Sequence, residues 1–279
     1  RNLEKIFCSI IYGNYSTIIL NYSGNIFLKK NLINLENFYN KEHFKFFQVN
    51  LSDLSFDILE LMDEIPKKFL RVFDSSNFPS FYEKIKFSKN KKTSVRYKII
   101  IDLLKLKKNE KTLSNKVDEI INILLNNDDF KKINKEYYSN KLKIVSLDIE
   151  QRYASIPSKN WYQSSAYSTG FHFDIERLDT NRVFVSVEDL NTNSGGTDVI
   201  NYPDTKTLVT KNFYKINFFK PASRLYNDKL AKNNNDLKIN QFIGKKGSAI
   251  FFNPNLVLHR GNLPLEGERR TLLRYVLSI

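Results

Sequence analysis

At 279 residues with 41 % hydrophobic side chains, the chain is long enough for one large domain or two small ones and too apolar for a disordered or collagen-like polymer. Its 44 basic and 30 acidic residues give a net charge of +14, divided as +7 over residues 1–150 and +7 over residues 151–279; that even spread is unlike the clustered charge of a nucleic-acid-binding arm. The single cysteine, Cys8, excludes an internal disulfide framework and a cysteine-built zinc cage. The longest apolar runs, such as Ile99–Ile101 and Ala249–Phe252, fall far short of a membrane-spanning helix. With no signal-like segment in view, the expectation is a cytoplasmic protein without a membrane span.

Residues 1–50 alternate in the β manner, and residues 16–28 read as a hairpin around a Gly24-containing turn. From Leu51 to Phe73, Leu54, Ile58, Leu61 and Met62 recur at helical spacing, with Pro66 as an interruption. Ser94–Leu106 and Leu113–Leu125 are further expected helices, the second with Val117, Ile120, Ile121 and Leu124 on one face. A turn over Asn126–Asp129 leads into a short helix over Phe130–Tyr138. The pattern then returns to short strands at Lys143–Leu147, Phe184–Val187, Phe213–Phe219, Gly247–Phe252, Leu256–His259 and Arg270–Leu277, separated by Asn, Gly, Pro and Asp. Short strands between such separators predict an antiparallel sandwich or barrel. The chain divides into an α+β region over residues 1–140 and a β core over 141–279, either as two domains or as one, with helices buttressing the sheets.

There are three histidines. His43 lies in the charged stretch Lys41-Glu42-His43-Phe44-Lys45 and is expected to be solvated. His172 lies in Gly170-Phe171-His172-Phe173-Asp174, and residues i and i+2 of a strand share a face, so an imidazole and a carboxylate can meet one ion. His259 closes Leu256-Val257-Leu258-His259. Two histidines and one carboxylate make a facial triad, which leaves open positions on a non-haem Fe(II). About ten residues further on comes Glu268-Arg269-Arg270, where a buried guanidinium would fork onto the far carboxylate of a dicarboxylic co-substrate. In a final strand Arg269 shares its face with Thr271, Leu273, Tyr275 and Leu277, whereas Arg270 shares its face with Arg274. An inward face tolerates one paired charge better than two, so Arg269 is expected inside, with Arg270 as the alternate.

His172-x-Asp174, His259 and the following arginine resemble the Fe(II)/2-oxoglutarate-dependent oxygenases. Gly247–Phe252 leading to Leu258-His259-Arg260-Gly261, and Val187–Leu190 followed by Ser194-Gly195-Gly196-Thr197, are similar to the phytanoyl-CoA hydroxylase-like branch, as is the 259 − 172 = 87-residue interval between the two histidines. The Pro-Gly-Ser-His stretch of that branch is replaced here by Asn201-Tyr202-Pro203-Asp204. The resemblance covers about residues 142–279. It implies a mainly β chain with some helix: a double-stranded β-helix (jelly roll) in the C-terminal half, buttressed by the helical N-terminal half. It further implies Fe(II) on His172, Asp174 and His259, 2-oxoglutarate as co-substrate and O2 as oxidant. The reaction would be hydroxylation of a small or carrier-linked molecule, since Asp174 stands where halogenating relatives carry a small residue. Trp161 and Gln163, just before His172, are candidate substrate contacts. Two other classes stay open: an oxygenase acting on nucleic acid, and a non-catalytic jelly-roll binding domain. Against the first, Arg269 and Arg274 have four residues between them and so lie on opposite strand faces. The oligomeric state is left open.

Overall fold

Among the described residues, the strands form two antiparallel sheets. A computed structural model describes residues 43–51, 58, 60, 96–109, 111–154, 170–174, 180–210, 237–262, 264–265 and 267–279. Their elements are β1 (Phe44–Gln48), β2 (Arg96–Asp102), α1 (Leu103–Asn109), α2 (Ser114–Asn126), α3 (Asp128–Tyr138), β3 (Lys143–Ala154), β4 (Asn181–Ser186), β5 (Thr197–Ile200), α4 (Tyr202–Thr210), β6 (Ile239–Gln241), β7 (Ser248–Phe252), β8 (His259–Gly261) and β9 (Arg269–Ser278). The larger sheet runs β1-β7-β4-β9-β3-β2 and the smaller β6-β5-β8. The expected hairpin at 16–28, the expected strand at 213–219, and Trp161 and Gln163 lie outside the described residues, as does most of the helix expected at 51–73.

The central strands β4, β7 and β9 of the larger sheet are buried on both faces. On one, Val183 and Val185 of β4, Ala249 and Phe251 of β7, and Leu273, Tyr275 and Leu277 of β9 share a core with Val117, Ile120 and Leu124 of α2 and Phe130 and Ile133 of α3. On the other, Phe184, Ile250, Phe252 and Leu272 meet Val199 of the smaller sheet, together with Phe242 and Val257. A strand that feeds two cores needs apolar residues at successive positions, which is why Ser-Ala-Ile-Phe-Phe and Arg-Val-Phe-Val read as runs rather than alternations. The helix-side core joins residues from both sides of position 140. Its polar groups are matched: the Tyr275 hydroxyl donates to the Ile120 carbonyl at 2.8 Å, and that of Tyr138 donates to Asn181 Oδ1 at 2.6 Å. Asn127 caps α3 by accepting from the Phe130 amide at 3.0 Å and donates its own amide to the Gln48 carbonyl at 2.8 Å, tying the helix to β1.

Several elements differ from the sequence expectation. Residues 96–102, expected as helix, form β2, because all seven pair with β3 from Arg96↔Ala154 to Asp102↔Asp148; cross-strand pairing outweighs a helical spacing. Leu256–Leu258 is not strand. The Leu256 and Val257 amides both return to the Asn253 carbonyl at 3.1 Å, making a turn that delays the strand until His259. The Asn201-Tyr202-Pro203-Asp204 stretch opens α4: Asn201 accepts from the Asp204 amide at 2.8 Å, and Pro203 sits in the first turn, where its missing N–H costs nothing. His43, expected in solvent, is 6 % exposed. Its ring meets that of Tyr202 edge-on at 5.0 Å, and its carbonyl accepts from the Asn253 amide.

Candidate metal centre

The His-x-Asp segment runs beside the smaller sheet, with the His172 and His259 amides donating to each other's carbonyls at 2.9 and 3.1 Å. This pairing brings the two imidazoles within 4.5 Å, centroid to centroid, although they are far apart in sequence. Asp174 is fixed by its own amide, which donates to the Pro254 carbonyl at 3.0 Å. His172 Nε2 lies 3.5 Å from Asp174 Oδ1, and His259 Nε2 lies 3.5 Å from Oδ2. One ligand atom from each of the three residues falls within 4.8 Å of the others.

The other ring nitrogens set the tautomer. His172 Nδ1 lies 2.8 Å from the Gly170 carbonyl and His259 Nδ1 lies 3.2 Å from the Val257 carbonyl, so each Nδ1 carries the proton and each Nε2 presents a lone pair inward. Burial alone would raise the Asp174 carboxyl. The imidazoles of His259 and His172 and the Arg182 guanidinium beside it together hold it well below the usual carboxylate range, so it stays an anion. Arg182 reaches Asp174 Oδ2 at 2.9 Å and fixes the carboxylate from the side away from Oδ1. Two neutral imidazoles and one carboxylate, aimed at a common point, suit a divalent transition ion, and two donors each about 2.1 Å from one ion and at right angles sit roughly 3 Å apart. Phe252, 5.2 Å from the His259 ring between centroids, walls one side with apolar surface.

The adjacent arginines Arg269 and Arg270 of β9 face opposite to the expectation. Arg270 is 2 % exposed and shares its face with Leu272, which packs between the sheets. Arg269 is on the helix-facing side at the strand's start, where its side chain is 39 % exposed and its Nε donates to Glu188 at 2.9 Å. The one-charge rule fails here because β3 supplies counter-ions. Asp148, Glu150 and Arg152 stand opposite Arg274, Leu272 and Arg270 in register, so the inner face accommodates Arg270 and Arg274 together. Arg270 donates to the Gly195 carbonyl and, at 3.3 Å, to Glu150. Its Nε has no hydrogen-bond partner among the described residues. Gly195 lies four residues before Val199, the register partner of His259, and Leu272, on the Arg270 face, packs in one inter-sheet cluster with Val199 and Phe252, whose ring is 5.2 Å from that of His259, so this guanidinium and the triad both face the space between the two sheets.

Glu150 and Arg152 did not stand out in the sequence, yet both belong to this interior. The signal was there: Asp148, Glu150 and Arg152 occur at i, i+2 and i+4, a one-sided charge row alternating with Leu147, Ile149 and Gln151. Arg260 was also overlooked as a support for the site. Beside His259, it places Nε and Nη2 at 2.8 and 2.6 Å from Asp198 Oδ2 and lies 4.5 Å above the Phe171 ring.

No family model and no curated protein sequence matches the chain. Among solved structures it is similar to AviO1 from Streptomyces viridochromogenes, at 10 % identity and a TM-score of 0.49 over 86 % of this chain and 91 % of that one. It is similar to EctD from S. alaskensis with bound Fe, at 10 % identity and a TM-score of 0.44 over 88 % and 76 %. A third is the epimerase SnoN in complex with Fe3+, alpha ketoglutarate and nogalamycin RO, at 10 % identity and a TM-score of 0.41 over 88 % and 82 %. Identities near 10 % and TM-scores below 0.5 leave the functional weight on the triad's own geometry.

Proposed function

We propose that the protein is a non-haem Fe(II)/2-oxoglutarate-dependent dioxygenase of the phytanoyl-CoA hydroxylase-like kind, its two sheets forming a jelly roll, that hydroxylates a small or carrier-linked organic molecule rather than nucleic acid. The observation that carries the reading is the convergence of His172, Asp174 and His259, with both imidazoles held as Nε2 donors by backbone carbonyls. The donor set fits the ion: borderline nitrogen ligands plus one hard oxygen, on one side, leave positions for a bidentate acid and O2.

Iron with 2-oxoglutarate and O2 bound supplies the oxidation, in which 2-oxoglutarate loses CO2 to give succinate. The chain's own share is positioning. His172 and His259 hold the metal, with their Nδ1 protons tied off. Asp174 supplies the anionic ligand, and Arg182 orients it. Arg270, whose Nε has no partner among the described residues, is the anchor for the far carboxylate of the co-substrate. Charge-assisted contact with a guanidinium is the strong, directional kind that fixes a dicarboxylate lengthwise. Phe252, Val257 and Leu272 contribute apolar wall that limits water around the reacting centre.

The test uses the whole chain. Anaerobic Fe(II) plus 2-oxoglutarate should give a weak visible charge-transfer band, and admitting O2 should release succinate. His172→Ala and His259→Ala should lose both. Wild-type-like binding of iron and 2-oxoglutarate by His172→Ala would remove the basis of the reading.

A further inference from the structure

The interior face of the larger sheet carries five charged groups in contact: Asp148, Glu150 and Arg152 from β3, and Arg270 and Arg274 from β9. Three cations face two anions, and their shares are unequal. Arg274 has two carboxylates: its Nε donates to Asp148 at 2.6 Å and its Nη1 to Glu150. Those two carboxylates outweigh its burial and raise its affinity for the proton. Arg152 donates from Nε to Glu150 Oε1 and from Nη2, at 3.3 Å, to Oε2. Among the described residues, Arg270 has only the 3.3 Å contact to Glu150 Oε1, an oxygen it shares with Arg152, and a neutral carbonyl. Burial, with the Arg152 charge adding to it, pushes the Arg270 guanidinium down to about 9. Glu150 itself is 1 % exposed, so its charge acts with little screening.

Arg270 is therefore the under-compensated cation of the group, and its open edge is Nε, adjacent to the Nη2 that Glu150 holds. We infer that Glu150 is an internal carboxylate that competes with the incoming co-substrate carboxylate at Arg270, and so sets the affinity and specificity of that anion site. The inference rests on the 2-oxoglutarate reading of the interior. An anion arriving at Nε meets the attraction of Arg270 and the repulsion of Glu150 across the same guanidinium. Glu150 holds the three arginines together against their mutual repulsion before the co-substrate arrives, and it weakens binding of the co-substrate once there. A purely structural counter-ion would do the first alone.

The sign of the affinity change separates the two. Binding of 2-oxoglutarate to the Mn(II)-loaded chain under anaerobic conditions is read by calorimetry for wild type, Glu150→Gln and Glu150→Asp, with Mn(II) binding alone as the control. Gln keeps the shape and removes the charge, and should tighten 2-oxoglutarate by roughly tenfold, the order expected for losing one like charge at short range. Asp keeps the charge but withdraws it, and should tighten binding less. Mn(II) binding should not move in either. Unchanged or weaker 2-oxoglutarate binding in Gln overturns the inference; should that variant not fold, the same result in Asp does so. Absence of 2-oxoglutarate binding by wild type would defeat the dioxygenase reading and this inference together. Normal wild-type binding with unmoved variants defeats this inference alone.

Discussion

The adjacent arginines Arg269 and Arg270 show how far neighbouring positions of a strand can differ. Arg269 holds Glu188 at the surface, and an exposed pair of that kind is worth about 0–1 kcal/mol. Arg270 sits between the sheets, where removing one partner of a buried charged contact costs on the order of 3–5 kcal/mol. The cost here falls toward the lower end, because Glu150 keeps Arg152 and Arg274. Denaturant unfolding should therefore leave Arg269→Ala near wild type and shift Arg270→Met clearly. The same pair separates the roles: Arg270→Met should raise the apparent KM for 2-oxoglutarate far more than Arg269→Ala does. Equal effects, or the reverse order, would remove Arg270 as the anchor. Sequence alternation alone pointed to Arg269 because it treated the strand as having one buried face. Both faces of β9 are buried, so hydrophobicity could not choose, and what decides is the carboxylate row of β3, distant in sequence.

Among the elements, β8 is short, three residues, yet it carries the distal histidine. It is held to β5 by Thr197↔Gly261, Asp198↔Arg260 and Val199↔His259. The Arg260–Asp198 pair lies on the face away from the metal, near the cluster of Phe171, Ile200, Leu208 and Leu258. Arg260→Met leaves a buried carboxylate without its cation and should destabilise the fold by about 3–5 kcal/mol, whereas adding Asp198→Leu should recover most of that loss. If the pair also seats His259, the single variant weakens Mn(II) binding and the double variant restores it only in part, a split that titration of the metal would reveal. Mn(II) binding untouched in both would make the pair structural only. Gly196 adds a second constraint on β5, since a Cβ there would lie 2.0 Å from the Phe242 carbonyl oxygen. Elements of this size are poorly legible in sequence. The His-x-Asp spacing and the run into His259 were readable because ligand chemistry demands those residue types. β2 was not, although its three consecutive isoleucines, Ile99–Ile101, carry a β-branched signal that competes with the helical spacing of Leu103, Leu104 and Leu106. α2 and α3 were readable in type and nearly in extent, because each has one apolar stripe and faces one core.

At the scale of the whole molecule, the triad joins parts of the chain that are far apart: the His-x-Asp segment before β4, and β8 after the turn that follows β7. An ion bound there cross-links those segments in the folded state alone. A ligand that binds only the folded chain stabilises it by RT ln(1 + [L]/Kd), about 2.7 kcal/mol at a hundredfold excess over Kd. For a chain of this length that corresponds to a rise in Tm of roughly 5–10 °C. Thermal unfolding with Mn(II) or anaerobic Fe(II) in that excess should show the rise, and a chelator should reverse it. Mg(II) at the same concentration should do much less, because two imidazoles are poor ligands for it. His259→Ala should unfold close to the metal-free wild type whether or not metal is added, since it lacks a donor but keeps the surrounding cores, and Asp174→Ala should likewise show no metal-dependent rise, from a baseline lowered by loss of its pair with Arg182. The comparison does not depend on knowing the organic substrate or on turnover. An equal rise in His259→Ala would mean that the stabilising ion binds elsewhere, and His259 would lose its place as a ligand.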